Sequence, residues 1–403
     1  MRFFLVFILL IIPLFLSAQE EDSLGSQPKK IRKWELGGYV KNMQTVYFID
    51  SLNLYFKDQV LLDNLIHNRL NFKWYISKSF TFKFDLRNRI FTGELMKLTT
   101  DFADQVDKNA SNPLLDRSAW YSPSWLLLNK KGIVIHSMID RMYFEYLKGK
   151  WEIRMGRQRI NWGITNYWNP NDIFNTYNFT DFDYEERPGT DAVRVTYYTG
   201  LLSKIEIAVQ AFDSKSNINA AALWQFNKKG YDFQLMGGMS LNYLVSGFGW
   251  AGNIKKVSFK GEASYFYALK DSVKHNFLGS INADYIFKNS LFINGGFLFN
   301  SNGSNSGNIS NLFNFRLSAR NLYPYRYSLM LAAAYPFTPV FMVNLALVYS
   351  PGKSHALFLS PTLSYSIAQN WDFDLVGQIV LNAEQKKYKS PLQLLFLRVK
   401  WSF

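Results

Sequence analysis

Oily and polar residues alternate along most of this chain. Between Arg141 and Tyr146, Met142, Phe144 and Tyr146 share one parity, and Arg141, Tyr143 and Glu145 share the other. Residues two apart point to the same face of a strand, so this segment has one apolar and one charged face. The division recurs with Ile153 and Met155 against Glu152 and Arg154, and with Val193, Val195 and Tyr197 against Arg194. It is sharpest in two earlier segments. Ile66, Leu70, Phe72 and Trp74 oppose His67, Arg69, Asn71, Lys73 and Tyr75, and Phe80, Phe82, Phe84, Leu86 and Ile90 oppose Thr81, Lys83, Asp85, Arg87 and Arg89.

The same pattern predicts strands at 35–48, 62–77, 79–95, 135–147, 151–163, 190–199, 203–212, 219–228, 231–242, 244–254, 257–269, 275–287, 290–301, 325–335, 339–350, 355–367, 370–382 and 391–403. Helical periodicity is almost absent. That makes about eighteen strands, most of them near the 9 to 11 residues that cross a bilayer when tilted. Asn311 to Arg320 is a rival strand, and about sixteen strands is the alternative count. Every second connection is short, as in Ser77-Lys78-Ser79, Lys148-Gly149-Lys150 and Lys255-Lys256, whereas 96–134, 164–189 and 302–324 are long. Short periplasmic turns and long external loops are the asymmetry of outer-membrane barrels. The predicted fold is all-β: one transmembrane antiparallel β-barrel over 35–403.

Local alternation also suits a soluble sandwich, so the two ends of the chain decide. Met1-Arg2, the apolar run Phe3 to Leu16 and the exit Ser17-Ala18-Gln19 read as a secretory signal over 1–19. The run is shorter than the roughly 20 residues a membrane anchor needs. Residues 20–34 read as a polar, flexible periplasmic lead. The chain has no cysteine, which excludes a lipidated N-terminal Cys, disulfides and thiolate metal sites. At the other end, Leu395, Leu397, Val399, Trp401 and Phe403 form an oily stripe opposite Arg398, Lys400 and Ser402. Ending on an aromatic at that parity resembles the terminal signature of bacterial outer-membrane barrels. It implies recognition by the barrel-assembly machinery and a place in the lipid of a Gram-negative outer membrane.

A closed sheet is the one form in which strands satisfy their backbone in lipid. Charges turned toward that lipid cost about 2 to 4 kcal/mol each near the midplane, so the charged faces look into the lumen. The inferred lumenal set is Arg69, Lys73, Lys83, Asp85, Arg87, Arg89, Arg141, Glu145, Glu152, Arg154, Arg194, Arg398 and Lys400. One interpretation is a self-neutralising ladder of ion pairs that braces the wall. The other starts from the excess of cations and a formal net charge of +14: a basic, water-filled lumen concentrates anions.

The run Arg154-Met-Gly156-Arg157-Gln158-Arg-Ile-Asn161-Trp162-Gly163 is followed by Trp168-Asn169-Pro170-Asn171-Asp172. It resembles the Gly-Arg-Gln, Asn-Trp-Gly and Asn-Pro-x-Asp motif of alginate-export-like and related outer-membrane porins. Gly38-Tyr39-Val40-Lys41 resembles the first strand of hypothetical Bacteroidetes outer-membrane proteins. The resemblance covers about 135–200. It implies an eighteen-strand barrel with an arginine- and lysine-lined pore for acidic solutes, with Arg154 and Gln158 as lumenal contacts. Arg157 and Arg159 have the opposite parity, which places them above the membrane or beyond a bulge.

The 164–189 loop has three readings. Folded inward, Asp172, Asp183, Glu185, Glu186 and Arg187 narrow the pore opposite the basic wall; folded outward, it is a solvated loop; clustered, its carboxylates suit a calcium ion. Catalysis needs a nucleophile with a base in reach, and the four histidines offer little: His136 and Ser137 are neighbours on a strand and face opposite ways. Scattered basic residues on a secreted barrel argue against nucleic acid. The expected function is passive diffusion of small polar or acidic solutes without a cofactor or resident metal. A non-conducting structural or assembly barrel is the alternative, and an outer-membrane hydrolase is a distant third. Trp74, Tyr75, Tyr146, Trp151, Trp162, Tyr197 and Trp401 read as girdle or wall residues, and no stripe singles out a subunit contact.

Overall fold

A computed structural model describes residues 33–51, 57–98, 123–176, 183, 189–210, 218–306, 310–313, 315, 317–384 and 387–403. The expected signal over 1–19 and nearly all of the 20–34 lead lie outside these residues. The first strands are β1 (Trp34–Ser51), β2 (Lys57–Tyr75) and β3 (Phe80–Gly93), then a short helix α1 (Glu94–Leu98). Next come β4 (Ser124–Lys130), β5 (Ile133–Lys148), β6 (Trp151–Gln158), β7 (Thr190–Gly200), β8 (Ser203–Gln210) and β9 (Asn219–Lys228). The far wall holds β10 (Tyr231–Ser240), β11 (Tyr243–Ile254), β12 (Val257–Ala268), β13 (Asn276–Ile286) and β14 (Phe292–Asn300). After the helical turn α2 (Ser310–Phe313), the sheet ends with β15 (Tyr327–Thr338), β16 (Phe341–Ser350), β17 (Ala356–Ala368), β18 (Trp371–Glu384) and β19 (Lys387–Ser402).

All neighbours pair antiparallel, and β19 returns to β1 in an unbroken register from Tyr39↔Ser402 to Ile49↔Leu392. The ring of β1–β3 and β5–β19 therefore closes with eighteen strands, and every predicted segment falls on one of them. One strand escaped the sequence reading. β4 pairs with the extracellular half of β5, whose periplasmic half pairs with β6. It adds a short segment above β6, outside the ring. The rival strand at Asn311–Arg320 is not formed: its described residues show α2 and a bridge between Ser318 and Asn321.

The outer surface is apolar at the predicted parity, with Phe144, Met155, Val193 and Leu397 exposed. An apolar outer wall around a closed sheet is what lipid requires. The interior is not uniformly ionic, however. On β9 and β12–β16, inward residues near the extracellular ends include Leu223, Phe266, Leu278, Leu298, Met330 and Val348, all buried in one cluster. They are covered by two inward loops, through Ile160, Trp162, Trp168 and Phe174 from one, and Leu322, Tyr323 and Tyr325 from the other. Trp168 packs on Tyr323 with ring centroids 5.9 Å apart. This is a correction to the expectation of oil outside and ions inside: strand parity separates lumen from lipid, but a loop filling the lumen creates a second apolar interior.

Candidate functional site

The ionic part of the lumen is built on β1–β8 with β18 and β19. In the β2–β3–β5 sector, register places Arg69 beside Arg87 and Asp85 beside Arg141. The β3–β5 ladder slips between Asp85 and Leu86, and Asp140 is the extra residue on β5. A bulge turns two successive side chains to one face, so Asp140 enters the lumen between the two arginines. Arg69 bonds Asp140 and also reaches Asp85 at 3.0 Å, and Arg87 Nε donates to Asp140 at 2.9 Å. Arg141 Nη1 donates to the Asp140 carbonyl oxygen at 2.8 Å.

The ladder continues around the wall. Arg154 bonds Glu145 and lies 3.0 Å from Glu152; Arg194 bonds Glu152; Lys204 reaches Glu206 at 3.0 Å. On the other flank, Arg398 meets Asp374 at 2.9 Å and Lys400 stands 3.9 Å from Asp372; a separate pair on β12 and β13 places Lys260 3.9 Å from Asp284. Self-neutralisation is therefore extensive, but it is lopsided with respect to water. Side-chain exposure is 36% for Lys83 against 2% for Asp85, 28% for Lys204 against 2% for Glu206, and 27% for Arg154 against 10% for Glu152. Lys260 against Asp284 has the same sign, 27% to 17%; Lys400 with Asp372, Arg157 with Asp191, and Lys41 and Arg398 with Asp183 reverse it. Carboxylates form the back of the ladder and cations its front. Lys83, Arg154, Lys204 and Lys260 all lie a few residues from periplasmic turns, so this positive front lines the periplasmic half of the lumen.

The loop after β6 folds inward. Gly156 has φ +121°, and a Cβ there would meet the Met142 carbonyl oxygen at 2.4 Å; only glycine tolerates that conformation and approach. The chain then leaves the wall. Trp162 Nε1 donates to Glu206 at 2.6 Å, and Gln234 Nε2 donates to the Trp162 carbonyl at 2.8 Å. Glu262 on β12 accepts backbone N–H groups from Ile164, from Thr165 at 2.6 Å and from Asn171 at 3.0 Å. Ser264 donates to Asn171 Oδ1 at 2.7 Å, and Asn171 Nδ2 donates to the Phe248 carbonyl at 3.1 Å. Farther along the loop, Asp183 sits on the opposite wall, 2.7 Å from Lys41 and 3.0 Å from Arg398. The loop thus holds to β8 and β10–β12 through its described first part and to β1 and β19 through Asp183.

Of the predicted lumenal residues, the acidic and basic strand residues take the expected face. Five are not surfaces for a solute: Arg69, Asp85, Arg141 and Glu152 are buried within the ladder, and Gln158 is sealed, with Nε2 donating to the carbonyls of Arg154 and Ala192 at 3.1 and 3.0 Å. Lys73 stands over the Tyr75 ring, 4.5 Å from its centroid, and Arg89 meets His136 Nδ1 at 3.2 Å. Arg157 keeps the outward parity yet is buried, 3.1 Å from Asp191 on β7. Trp162 is no girdle residue; it is an inward anchor of the loop. Asp172 is buried in the same loop, and Asp183 faces the basic wall as the constriction reading requires. Glu185, Glu186 and Arg187 lie outside the described residues. Among the described residues no three His, Asp or Glu side chains gather as a metal site. His136 and Ser137 face opposite ways, the serine donating to Asn88 at 2.7 Å.

Sequence reasoning missed Asp140, Glu206 and Glu262. Asp140 carries its own signal, a carboxylate at an otherwise oily parity, which marks a bulge. Glu206 and Glu262 have lumenal parity in Lys204-Ile-Glu206-Ile and Lys260-Gly-Glu262-Ala. Glu262 is held by loop N–H groups and Glu206 by the loop's Trp162 besides its wall partners Lys204 and Thr196, and alternation does not locate the loop contacts.

No protein-family model and no curated protein matches the sequence. The fold does match solved outer-membrane substrate-specific porins of the Occ type. OccAB4 of Acinetobacter baumannii aligns with a TM-score of 0.56 and 10% identity over 94% of this chain and 100% of that one. OccAB3 of the same organism aligns with a TM-score of 0.56 and 12% identity over 92% and 99%. OccK7 (OpdD) of Pseudomonas aeruginosa aligns with a TM-score of 0.54 and 9% identity over 91% and 99%. At such identity the likeness is one of fold.

Proposed function

We propose that this chain is an outer-membrane channel for passive diffusion of small anionic or polar solutes. One observation carries the charge preference: on most rungs of the ladder the cation is the partner that meets water. A buried carboxylate fixes each cation in place but contributes less to the potential in the lumen than the charge at the surface, because field lines in a narrow aqueous path are set by the groups that line it. The apolar outer wall and the fold shared with outer-membrane porins support the membrane location. The resemblance to alginate-export-like porins agrees with a lysine- and arginine-lined path for acidic solutes. Assembly through the barrel-assembly machinery fits the final strand, where Phe403 and Gly38 exchange backbone hydrogen bonds of 2.9 Å at the barrel seam.

The inward loop favours a second reading, a closed structural barrel. Planar-bilayer conductance of the purified protein separates the two, since a sealed barrel carries no steady current. In a salt gradient the channel should show an anion-selective reversal potential, and Lys83→Ser, Arg154→Ser and Lys204→Ser together should shift it toward zero. A cation-selective potential in the unaltered protein would overturn the basic-lumen reading.

A further inference from the structure

The short periplasmic turns carry lysines and no carboxylate. Lys228-Lys229-Gly230 joins β9 to β10 and Lys255-Lys256 joins β11 to β12, while Lys148-Gly149-Lys150, Lys78 and Lys288 mark other turns. All of these lysines are exposed. The lysines that form salt bridges among the described residues are different ones: Lys41, Lys83, Lys204, Lys260 and Lys400. Carboxylates close by in sequence, such as Glu152 and Asp232, have the lumenal parity. Lys228, by contrast, shares the outward parity of Trp224 and Phe226 and stands opposite Tyr231 in the ladder; Lys148 stands opposite Trp151 in the same way. A cation at outward parity is tolerated at the end of a strand, where its stem lies along apolar surface and its ammonium reaches the headgroup layer.

Two of the turn lysines are also costly to the backbone. Lys229 and Lys255 have φ of +54° and +57°, and tight hairpins favour glycine or asparagine at such positions because they reach the left-handed region with least strain. A lysine adds nothing to the turn there. What it contributes is an ammonium group held beyond the edge of the sheet. Adjacent strands lie about 4.8 Å apart, so the β9–β10 and β11–β12 turns are about 10 Å apart across the wall. Lysine side chains from both turns can converge on one anion.

Beneath these two turns the lipid face is aromatic. A continuous row runs from Trp224 through Phe226, Phe233, Phe248 and Trp250 to Phe259, with successive ring centroids 4.6 to 6.3 Å apart. Glycines let rings of this sector lie against the sheet: a Cβ at Gly261 would meet the Trp250 indole at 2.1 Å, and one at Gly252 the Tyr231 ring at 2.2 Å. The result is a low apolar platform under a cluster of cations.

We propose that the periplasmic rim at β9–β12 binds an anionic phospholipid of the inner leaflet, with its phosphate on Lys228, Lys229, Lys255 and Lys256 and an acyl chain along the aromatic row. The inference rests on the barrel's place in the outer membrane and not on whether it conducts. A soluble anion would meet only the lysines, and a soluble protein would not reach the lipid-facing rings. A phospholipid meets both at once.

The test uses the whole barrel in detergent micelles, titrated with phosphatidylglycerol and with phosphatidylcholine of the same chain length and followed by native mass spectrometry. Phosphatidylglycerol should bind about fivefold tighter or more, the order expected when at least one lysine meets a net negative headgroup. Replacing Lys228, Lys229, Lys255 and Lys256 by Gln should bring the two lipids within about twofold of each other. The same number of extracellular changes, Lys130→Gln, Lys131→Gln, Lys270→Gln and Lys274→Gln, should leave the preference intact. Lys229→Asn with Lys255→Asn is the variant that separates binding from folding: asparagine suits both turns, so the unfolding midpoint should hold or rise while the lipid preference falls. Excess inorganic phosphate should leave phosphatidylglycerol bound. Equal affinity for the two lipids, equal loss in the rim and extracellular variants, or displacement of the lipid by phosphate would overturn the proposal.

Discussion

Glu262 is the side chain whose replacement should most directly release the inward loop. Its carboxylate is buried and accepts N–H groups from Ile164, Thr165 and Asn171. Hydrogen bonds to a charged group contribute about 1.5 to 3 kcal/mol each, and a buried donor left unpaired costs about 1 to 3 kcal/mol. Glu262→Gln keeps one carbonyl oxygen, which can still serve Ile164 and Thr165, but turns an NH2 group toward the Asn171 N–H. One charge-assisted bond is lost and two donors face each other, a loss of roughly 3 kcal/mol. At about 1.4 kcal/mol per factor of ten, the ratio of seated to released loop falls by about a hundredfold. Glu262→Ala strands all three N–H groups and should release the loop further. The assays are single-channel conductance and limited proteolysis within 160–176. Both variants should give larger or noisier openings and faster cleavage in that segment, with the barrel itself still heat-modifiable on gels. Unchanged conductance and unchanged cleavage in both variants would refute the reasoning and leave the Trp162–Glu206 bond and the packing of Trp168 as the true anchors.

Asp140→Asn should destabilise the barrel by about 3 kcal/mol, because it leaves the buried Arg69 and the half-buried Arg87 near each other with half their counter-charge removed; a midpoint of urea unfolding within experimental error of the unaltered protein would contradict this. Val193→Lys places a charge on the lipid face and should cost about 2 to 4 kcal/mol in vesicle refolding, whereas Arg194→Lys, one residue away on the lumenal face, should cost far less; equal effects would undo the inside–outside assignment. Gly156→Val should impair assembly, since its Cβ would press on the Met142 carbonyl oxygen in a conformation β-branched residues avoid; a variant that folds and conducts normally would show that the strand can straighten there.

The eighteen ring strands were legible because alternation has a period of two and each span repeats it several times, so an error of a few residues at a boundary does not move a face. What alternation cannot carry is any contact between a loop and a wall. Trp162 looked like a girdle or wall aromatic because it stands near the end of the predicted strand 151–163, yet the strand ends at Gln158 and the indole turns to Glu206. The apolar lumenal residues of β12–β16 were equally opaque: Phe266 and Leu298 occupy lumenal parity in strands whose outward parity is also oily. Neither names its partner until Trp168 and Tyr323 are brought over them.

Asp140 shows how far one exception can be pushed. In Met138-Ile139-Asp140-Arg141-Met142, strict alternation allows either Asp140 or Arg141 to face the lumen, and assigning Arg141 inward leaves a carboxylate in lipid. That cost, of about 2 kcal/mol or more at depth, exceeds that of an irregular ladder, so a bulge is the cheaper solution and both charges turn inward. The consequence reaches function. Without Asp140, Arg69 and Arg87 would stand side by side on β2 and β3 with Asp85 alone between them and Lys83. With it, the deep arginines are neutralised and locked, and the half-exposed Lys83, beside Lys73, is left facing the lumenal water in this sector. A single bulge thus separates the cations that hold the wall from those that face the water.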